Sequence, residues 1–189
     1  MSVSDGWQDA LDALEAHRAD KDEFFREHPQ SPIPHDQREI FDGLSYFAPD
    51  PAYRFELELH EHETKETVTV ATTTEGERDY VAWGEFRFTV DGEEVALQAY
   101  SRDEDGGGDE FWLPFRDETS GEETYGAGRY LELDTENRTD DGTWILDFNY
   151  AYSPFCAYNE AYECPLVPMA NWLEVEIRAG EKTYTPGGV

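Results

Sequence analysis

Positive charge is what this sequence most lacks. It has 14 lysines and arginines against 44 aspartates and glutamates, and Lys21, Lys65 and Lys182 are the only lysines. Without a basic patch to release counterions from phosphates, the sequence speaks against nucleic-acid binding. Long apolar runs are also missing. No stretch approaches the roughly 20 apolar residues of a membrane-spanning helix, and the one strong helical pattern carries acid on its polar face where lipid headgroups would want Lys or Arg. The start, M-S-V-S-D-G-W, lacks the basic and apolar segments of a secretory signal. Cysteine is limited to Cys156 and Cys164, which without a secretory signal read as thiols in a reducing compartment; the expected location is cytoplasmic. Histidine occurs only at positions 17, 28, 35, 60 and 62, so no local Ser-His-Asp or Cys-His arrangement exists in the later two thirds.

What is present is aromatic and acidic. Aromatic residues make up 14% of the 189 positions, a content that argues for a packed core over an acidic disordered chain. A formal net charge of -30 would destabilise a compact state at low ionic strength. At molar salt the screening length falls to about 3 Å, so the surface fits a salt-rich cytoplasm of the halophilic kind.

The pattern predicts a single domain over 1–189. A helix over 4–27 carries Trp7, Leu11, Leu14 and Phe25 on one face, capped by Ser4 or Asp5, stopped by His28-Pro29 and packed on the β-structure that follows. An irregular connector over 28–52, broken by Pro32, Pro34, Pro49 and Pro51, wraps the core with Ile40, Phe41 and Phe47, with a short helical turn near 36–42. A β-domain over 53–182 follows, then a tail over 183–189. Within it, Tyr53–Leu59 alternates and reads as a strand whose hairpin partner is Glu66–Thr73. Asp91-Gly92 marks a hairpin between Tyr80–Val90 and Val95–Ser101, with a bulge at Gly84. Asp103–Asp109 is an acidic loop, and Phe111–Phe115 an edge strand because of Pro114. Arg129–Leu133 pairs with Thr143–Asn149, and Trp172–Ala179 is the last strand. The resulting class is mainly β (α+β): an antiparallel sandwich or partly open barrel with one N-terminal helix packed against it.

Residues with chemical potential gather between Thr119 and Lys182. Gly126 and Gly128 precede Arg129, whose planar fork suits a carboxylate or phosphate. Asp147 and Asn149 share one face of the neighbouring strand. The candidate ligand-binding set is Arg129, Asp147, Asn149, Tyr125 and Tyr158. The catalytic candidates are Asp147, Glu123 and Cys156. Cys156 and Cys164 would be plain thiols, a disulfide or a redox pair, and a nucleophilic Cys156 would need a cation or base beside it. His60 and His62, two apart on a strand, are the metal-ligand candidates with a neighbouring carboxylate. No pattern specifies a cofactor or an oligomeric state.

The same stretch resembles a prokaryotic family known as domain of unknown function sixteen-eighty-four. The resemblance is carried by G-E-E-T-Y-G-A-G-R-Y-L (121–131), L-D-F-N-Y-A-Y-S-P-F-C-A-Y (146–158), C-P-L-V-P (164–168), A-N-W-L (170–173) and A-G-E-K (179–182). Weaker echoes lie at R-A-D-K-D-E-F-F (18–25), S-P-I-P from Ser31 and F-D-G-L-S-Y-F ending at Phe47. The family tends toward N-P-P-C and E-N-R-L where Ser153-Pro154-Phe155-Cys156 and Ala170-Asn171-Trp172-Leu173 stand here. The resemblance implies a fold and supplies no catalytic residues.

Three functional expectations follow. The first is a small polar or anionic ligand held near Arg129, Asp147, Asn149 and Cys156. The second is a structural or interaction module in which these residues form a satisfied polar core. The third is an acid/base hydrolase or isomerase using Asp147 or Glu123, with Arg129 stabilising developing negative charge. The discriminating feature is whether Arg129 faces a water-filled pocket or is sealed and fully paired.

Overall fold

A computed structural model of the chain describes residues 3–102 and 107–186. Residues 103–106 of the acidic loop and the Gly187-Gly188 tail lie outside the described residues. The elements are α1 (Val3–Glu27), β1 (Arg54–Leu57), β2 (His60–Ala71), β3 (Glu77–Val90), β4 (Glu93–Ser101), β5 (Phe111–Phe115), β6 (Arg129–Leu133) and β7 (Trp144–Asp147), with short 3-10 turns between them. One sheet runs β2-β3-β4-β5-β6, entirely antiparallel; the other is the antiparallel pair β1-β7. The fold is mostly β with one long N-terminal helix, and neither sheet closes into a barrel.

Alternation builds the core. In β3 and β4, Phe86, Phe88, Val90, Val95, Leu97 and Ala99 point inward, while Arg87, Thr89, Glu94 and Ala96 do not. The β1-β7 pair closes this face through Phe55, whose ring lies 4.9 Å from that of Phe88, and through Leu146 and Phe148. Each fully buried side chain of this kind contributes about 1.5–3 kcal/mol. The opposite face carries Tyr80, Tyr100, Trp112 and Tyr130. The loop 151–168 covers it, with Tyr130 donating its hydroxyl to the Pro165 carbonyl.

The hairpin at Asp91-Gly92 forms as expected, with φ of 50° and 84°, the left-handed pair that a two-residue turn requires. The bulge at Gly84 is also present; a Cβ there would sit 2.7 Å from the His60 carbonyl oxygen. The other pairings differ from the local reading. β1 pairs with β7 and not with the Glu66–Thr73 segment, β2 pairs with β3, and β6 pairs with β5 and not with β7. Alternation identifies a face, and it carries no information about which distant strand lies alongside.

β5 is interior to its sheet, not an edge. Only Tyr100 and Trp112 pair it with β4, because Pro114 has no N–H to give. The side chain of Asn171, fully buried, fills the gap. It accepts from the Gln98 N–H at 2.8 Å and donates to the carbonyls of Gln98 and Pro114 at 3.0 and 2.8 Å.

α1 begins at Val3, so Ser4 and Asp5 lie inside it and not at its cap. Its buried face meets loops more than strands. Phe25 packs edge-on against Tyr158 at 5.0 Å and Phe155 at 6.0 Å, beside Ile33 and Phe41. The connector forms a 3-10 turn, His35–Ile40, and a second, Pro51–Tyr53, begins at its end. Phe41 and Phe47 are buried, whereas Ile40 is 54% exposed and takes no part in the core. The connector then pairs with the C-terminal segment: the Phe47 N–H donates to the Gly180 carbonyl and the Lys182 N–H to the Ser45 carbonyl.

Candidate functional site

Arg129 opens β6, and the glycine before it is required twice over. Gly128 has φ +103°, and a Cβ there would lie 2.6 Å from the Phe115 carbonyl oxygen and 2.7 Å from Val167. This tight approach turns the Arg129 side chain inward, where its exposure is zero. One terminal nitrogen, Nη1, donates to the carbonyls of Ala179 and Glu181; the other, Nη2, donates to the Ile177 carbonyl at 2.8 Å and faces Asp117 Oδ2 at 3.4 Å. Its Cζ lies 5.0 Å above the Phe115 ring. Nε is the one guanidinium nitrogen without a partner. Burial pushes the Arg129 pKa down, and the Asp117 charge opposes that shift.

Carbonyls at 177, 179 and 181 lie along one edge of an extended segment, because alternate residues of such a chain share a direction. Among the described residues none of β1–β7 pairs with this segment, and its bridge to the connector at Tyr46 reaches only Glu181. Arg129 supplies the donors that a neighbouring strand would offer. Asp117 completes the substitution by accepting the Ile177 N–H at 2.6 Å, and is itself held by Thr119 Oγ1 at 2.9 Å. The expected strand Trp172–Ala179 is therefore an extended stretch without a regular ladder.

The residues grouped with Arg129 in the sequence belong to separate networks. Asp147 caps the turn Phe148–Tyr150: it accepts the Asn149 backbone N–H at 3.0 Å and side-chain Nδ2 at 2.8 Å, with Arg54 Nε 3.6 Å away. Burial raises the Asp147 pKa, against the pull of these bonds and of Arg54. Asn149 pins the connector, exchanging hydrogen bonds with the Asp50 backbone at 3.0 and 2.9 Å. Glu123 forms an ion pair with Arg178 near the surface. Tyr158, buried, donates to one oxygen of Glu181, and Lys21 from α1 holds the other. Lys21 also lies 4.9 Å from the Tyr152 ring centre, and Arg18 donates to the carbonyls of Phe47 and Asn149 at 3.1 and 3.2 Å. Tyr125 belongs with the cysteines, its hydroxyl 3.6 Å from Cys156 Sγ.

Three participants escaped the sequence reading. Asp117 sits in R-D-E-T-S, a stretch resembling any acidic turn. Glu181 and Lys21 are far apart in sequence, although each falls in a segment that carries the family resemblance. Their scarcity was a usable signal for lysine, since only three exist. His62 Nε2 bonds Gln98 Oε1 at 2.8 Å, while His60 is exposed at the start of β2. Among the described residues no group of three or more His, Cys, Asp and Glu side chains is placed to hold a metal ion.

A cleft of about 540 Å³ opens beside the ends of β4, β5 and β6. Tyr100, Arg102, Glu110, Trp112, Glu132 and Asp134 contribute to its walls, and none of the candidates from the sequence does.

The architecture defines an α+β protein of two antiparallel sheets, fastened to one long helix through an internal polar core. The chain belongs to the family described as protein of unknown function (DUF1684), whose model matches residues 39–182. It is similar to an uncharacterized protein of Haloarcula marismortui with a solution NMR structure, at 44% identity over 96% of this chain and 98% of that one, with a TM-score of 0.73. No curated protein matches the chain. Among the described residues, no helix is long and apolar enough to cross a membrane.

Proposed function

We propose that this chain is an interaction module of a salt-rich cytoplasm, in which Arg129, Asp147, Asn149 and Tyr158 form a sealed polar core, satisfied at every guanidinium nitrogen but Arg129 Nε, and do not grip a ligand. The observation that carries this reading is the zero exposure of Arg129 together with its bonds to three backbone carbonyls and Asp117. A ligand carboxylate or phosphate would have to displace the C-terminal segment to reach the guanidinium. The acid/base reading is weakened by the same geometry. Asp147 is committed to its turn and Glu123 to Arg178, so neither faces a shared reaction space with Arg129.

The outer surface supports a contact role. Of the four large hydrophobic side chains exposed among the described residues, Leu166, Met169 and Trp172 fall within one seven-residue segment, with Met169 at 76% exposure. Arg116 lies over the Trp172 ring at 4.5 Å and offers one cation to an acidic partner. High salt strengthens apolar contact while screening repulsion between acidic surfaces.

Thermal-shift screening of metabolites in molar KCl tests this reading. The expected result is that no carboxylate or phosphate compound stabilises wild type selectively over Arg129→Lys. A compound that stabilises wild type and not the variant restores the ligand site. In parallel, Met169→Asp should lower any self-association seen by sedimentation while leaving the unfolding temperature within a few degrees.

A further inference from the structure

The loop 153–168 brings together the only two sulfur nucleophiles of the chain. Cys164 is buried, and its backbone is tied to the end of β2: its N–H donates to Thr73 Oγ1 at 3.2 Å, and its carbonyl accepts the Thr73 N–H at 2.9 Å. Cys156 lies in the turn Phe155–Ala157 and is partly exposed. The first amides of such a turn have no acceptor within it. Here the Cys156 N–H donates to Cys164 Sγ at 3.3 Å, and the Phe155 N–H also faces that sulfur. The thiol of Cys156 is a hydrogen-bond partner of Cys164 as well, and the Tyr125 hydroxyl stands 3.6 Å from Cys156 Sγ. One sulfur therefore faces outward with a second stationed behind it, which a purely structural pair of buried thiols does not require.

We propose that Cys156 and Cys164 are a redox-active dithiol that reduces small disulfides of neutral or positive charge. This does not rest on the interaction-module reading, which concerns Arg129 and the surface around Met169. The charge preference follows from the surroundings. Glu160 is close enough to act on Tyr125, Glu163 adjoins Cys164, and Arg78 is the cation acting on the Cys164 sulfur. With a net charge of -30, an anionic disulfide is repelled until salt screens the field.

The chemistry balances without a further reactant. The two thiols are hydrogen-bonded, so the Cys156 proton can pass to Cys164 as negative charge develops on Cys156. The Cys156 thiolate attacks one sulfur of R–S–S–R, forming a Cys156–S–S–R bond and expelling RS⁻, which takes up a proton. Cys164 then loses its proton and attacks Cys156 Sγ. A Cys156–Cys164 disulfide forms, the second RS⁻ leaves and is protonated, and two protein thiols have been exchanged for two RSH. In the reduced pair the Cys164 pKa is lowered to about 6, chiefly by the Cys156 thiol, while that of Cys156 is raised chiefly by the same contact; once Cys156 is in the mixed disulfide, the backbone N–H donors around Cys164 Sγ remain to stabilise its thiolate for the second step. A lowered pKa at Cys164 favours its attack in the ring-closing step.

The test uses the full-length reduced protein in molar KCl without oxygen, with bis(2-hydroxyethyl) disulfide as probe and intact mass and thiol counting as readouts. Wild type is expected to lose both thiols, fall in mass by two hydrogens and release two equivalents of 2-mercaptoethanol, with a rate profile that bends near pH 6 rather than near 9. Cys164→Ser should stop at a mixed disulfide on Cys156, and Cys156→Ser should react about tenfold more slowly than wild type; Cys164→Ala and Cys156→Ala serve if a serine variant does not fold. At reduced salt, cystamine should react about tenfold faster than its dicarboxylate counterpart. The proposal is overturned if wild type keeps both thiols while the unfolded chain reacts, if it accumulates an adduct without closing the ring, or if Cys156→Ser reacts as fast as wild type. Equal rates for the two charged disulfides at reduced salt overturn the charge preference.

Discussion

Two polar clusters in the same stretch of chain behave in opposite ways. Around Arg129, both terminal guanidinium nitrogens are directed at backbone carbonyls or the Asp117 carboxylate, and the side chain has no exposure. Around Cys156, two thiols and a phenol hold one another at a partly open surface. Backbone carbonyls are strong, fixed acceptors that must be satisfied once buried. A guanidinium that satisfies three of them becomes part of the framework. Thiols are weak donors and acceptors, so a thiol pair adds little to the framework and keeps its reactivity. A charged residue in a suspicious motif is thus less informative than the kind of acceptor it finds.

Removing Arg129 is the severest way to break the contrast. Arg129→Ala leaves Asp117 without its cation and strips three buried carbonyls of their donor, so a loss of about 3–5 kcal/mol is expected. For a chain of this size that is roughly a 10 °C fall in unfolding temperature, measured by calorimetry in molar KCl. If Arg129→Ala is stable to within a degree, the strand-substituting role assigned to it is wrong. Next comes the tie between α1 and the C-terminal segment. Tyr158→Phe leaves a Glu181 oxygen buried without its donor and should cost about 1–3 kcal/mol, with faster hydrogen exchange along α1 as the local signature. An unchanged exchange pattern in α1 would mean that the helix is held by Phe25 and its apolar neighbours alone.

Smaller effects sharpen the other side. Cys156→Ser should change stability by less than about 1 kcal/mol, since it removes a weak hydrogen bond at a partly exposed site, yet abolish disulfide closure. The smallest effect is a pH dependence. Cys164 has a folded pKa lowered to about 6 from 9.0, so its stabilising contribution is complete above 9 and is lost as pH falls through about 6. Cys156 is shifted upward and contributes the reverse above 9. Unfolding temperature should therefore rise between pH 6 and 9 in wild type more than in a Cys164→Ser variant, when the two are compared over the same range.

Local patterns carried the elements further than the architecture. The helix over 4–27, the Asp91-Gly92 hairpin and the Gly84 bulge were legible because each depends on neighbours within a few residues: a 3.6-residue period, a left-handed pair, a missing side chain. The pairing of β1 with β7, ninety residues apart, was not, because alternation looks the same whichever strand lies alongside. Pro114 illustrates the limit. It argued for an edge, and the edge argument assumes that only backbone can complete a ladder; Asn171 completes it from fifty-seven positions away.

The candidate site divides in the same way. Arg129, Asp147, Asn149, Tyr125, Tyr158 and Cys156 were each singled out from the sequence, and each makes a specific polar contact in the fold, but with different partners from those that proximity in the motif suggested. Asp117, Lys21 and Glu181 gained their importance only from packing. What the sequence alone determined was composition-borne or short-range: a strongly acidic composition, one helix, antiparallel strands and the family. What the tertiary structure decided was which polar atoms are sealed and which are reachable, because burial depends on every segment that folds over a residue, and the one that supplies three carbonyls to Arg129 lies about fifty positions beyond it.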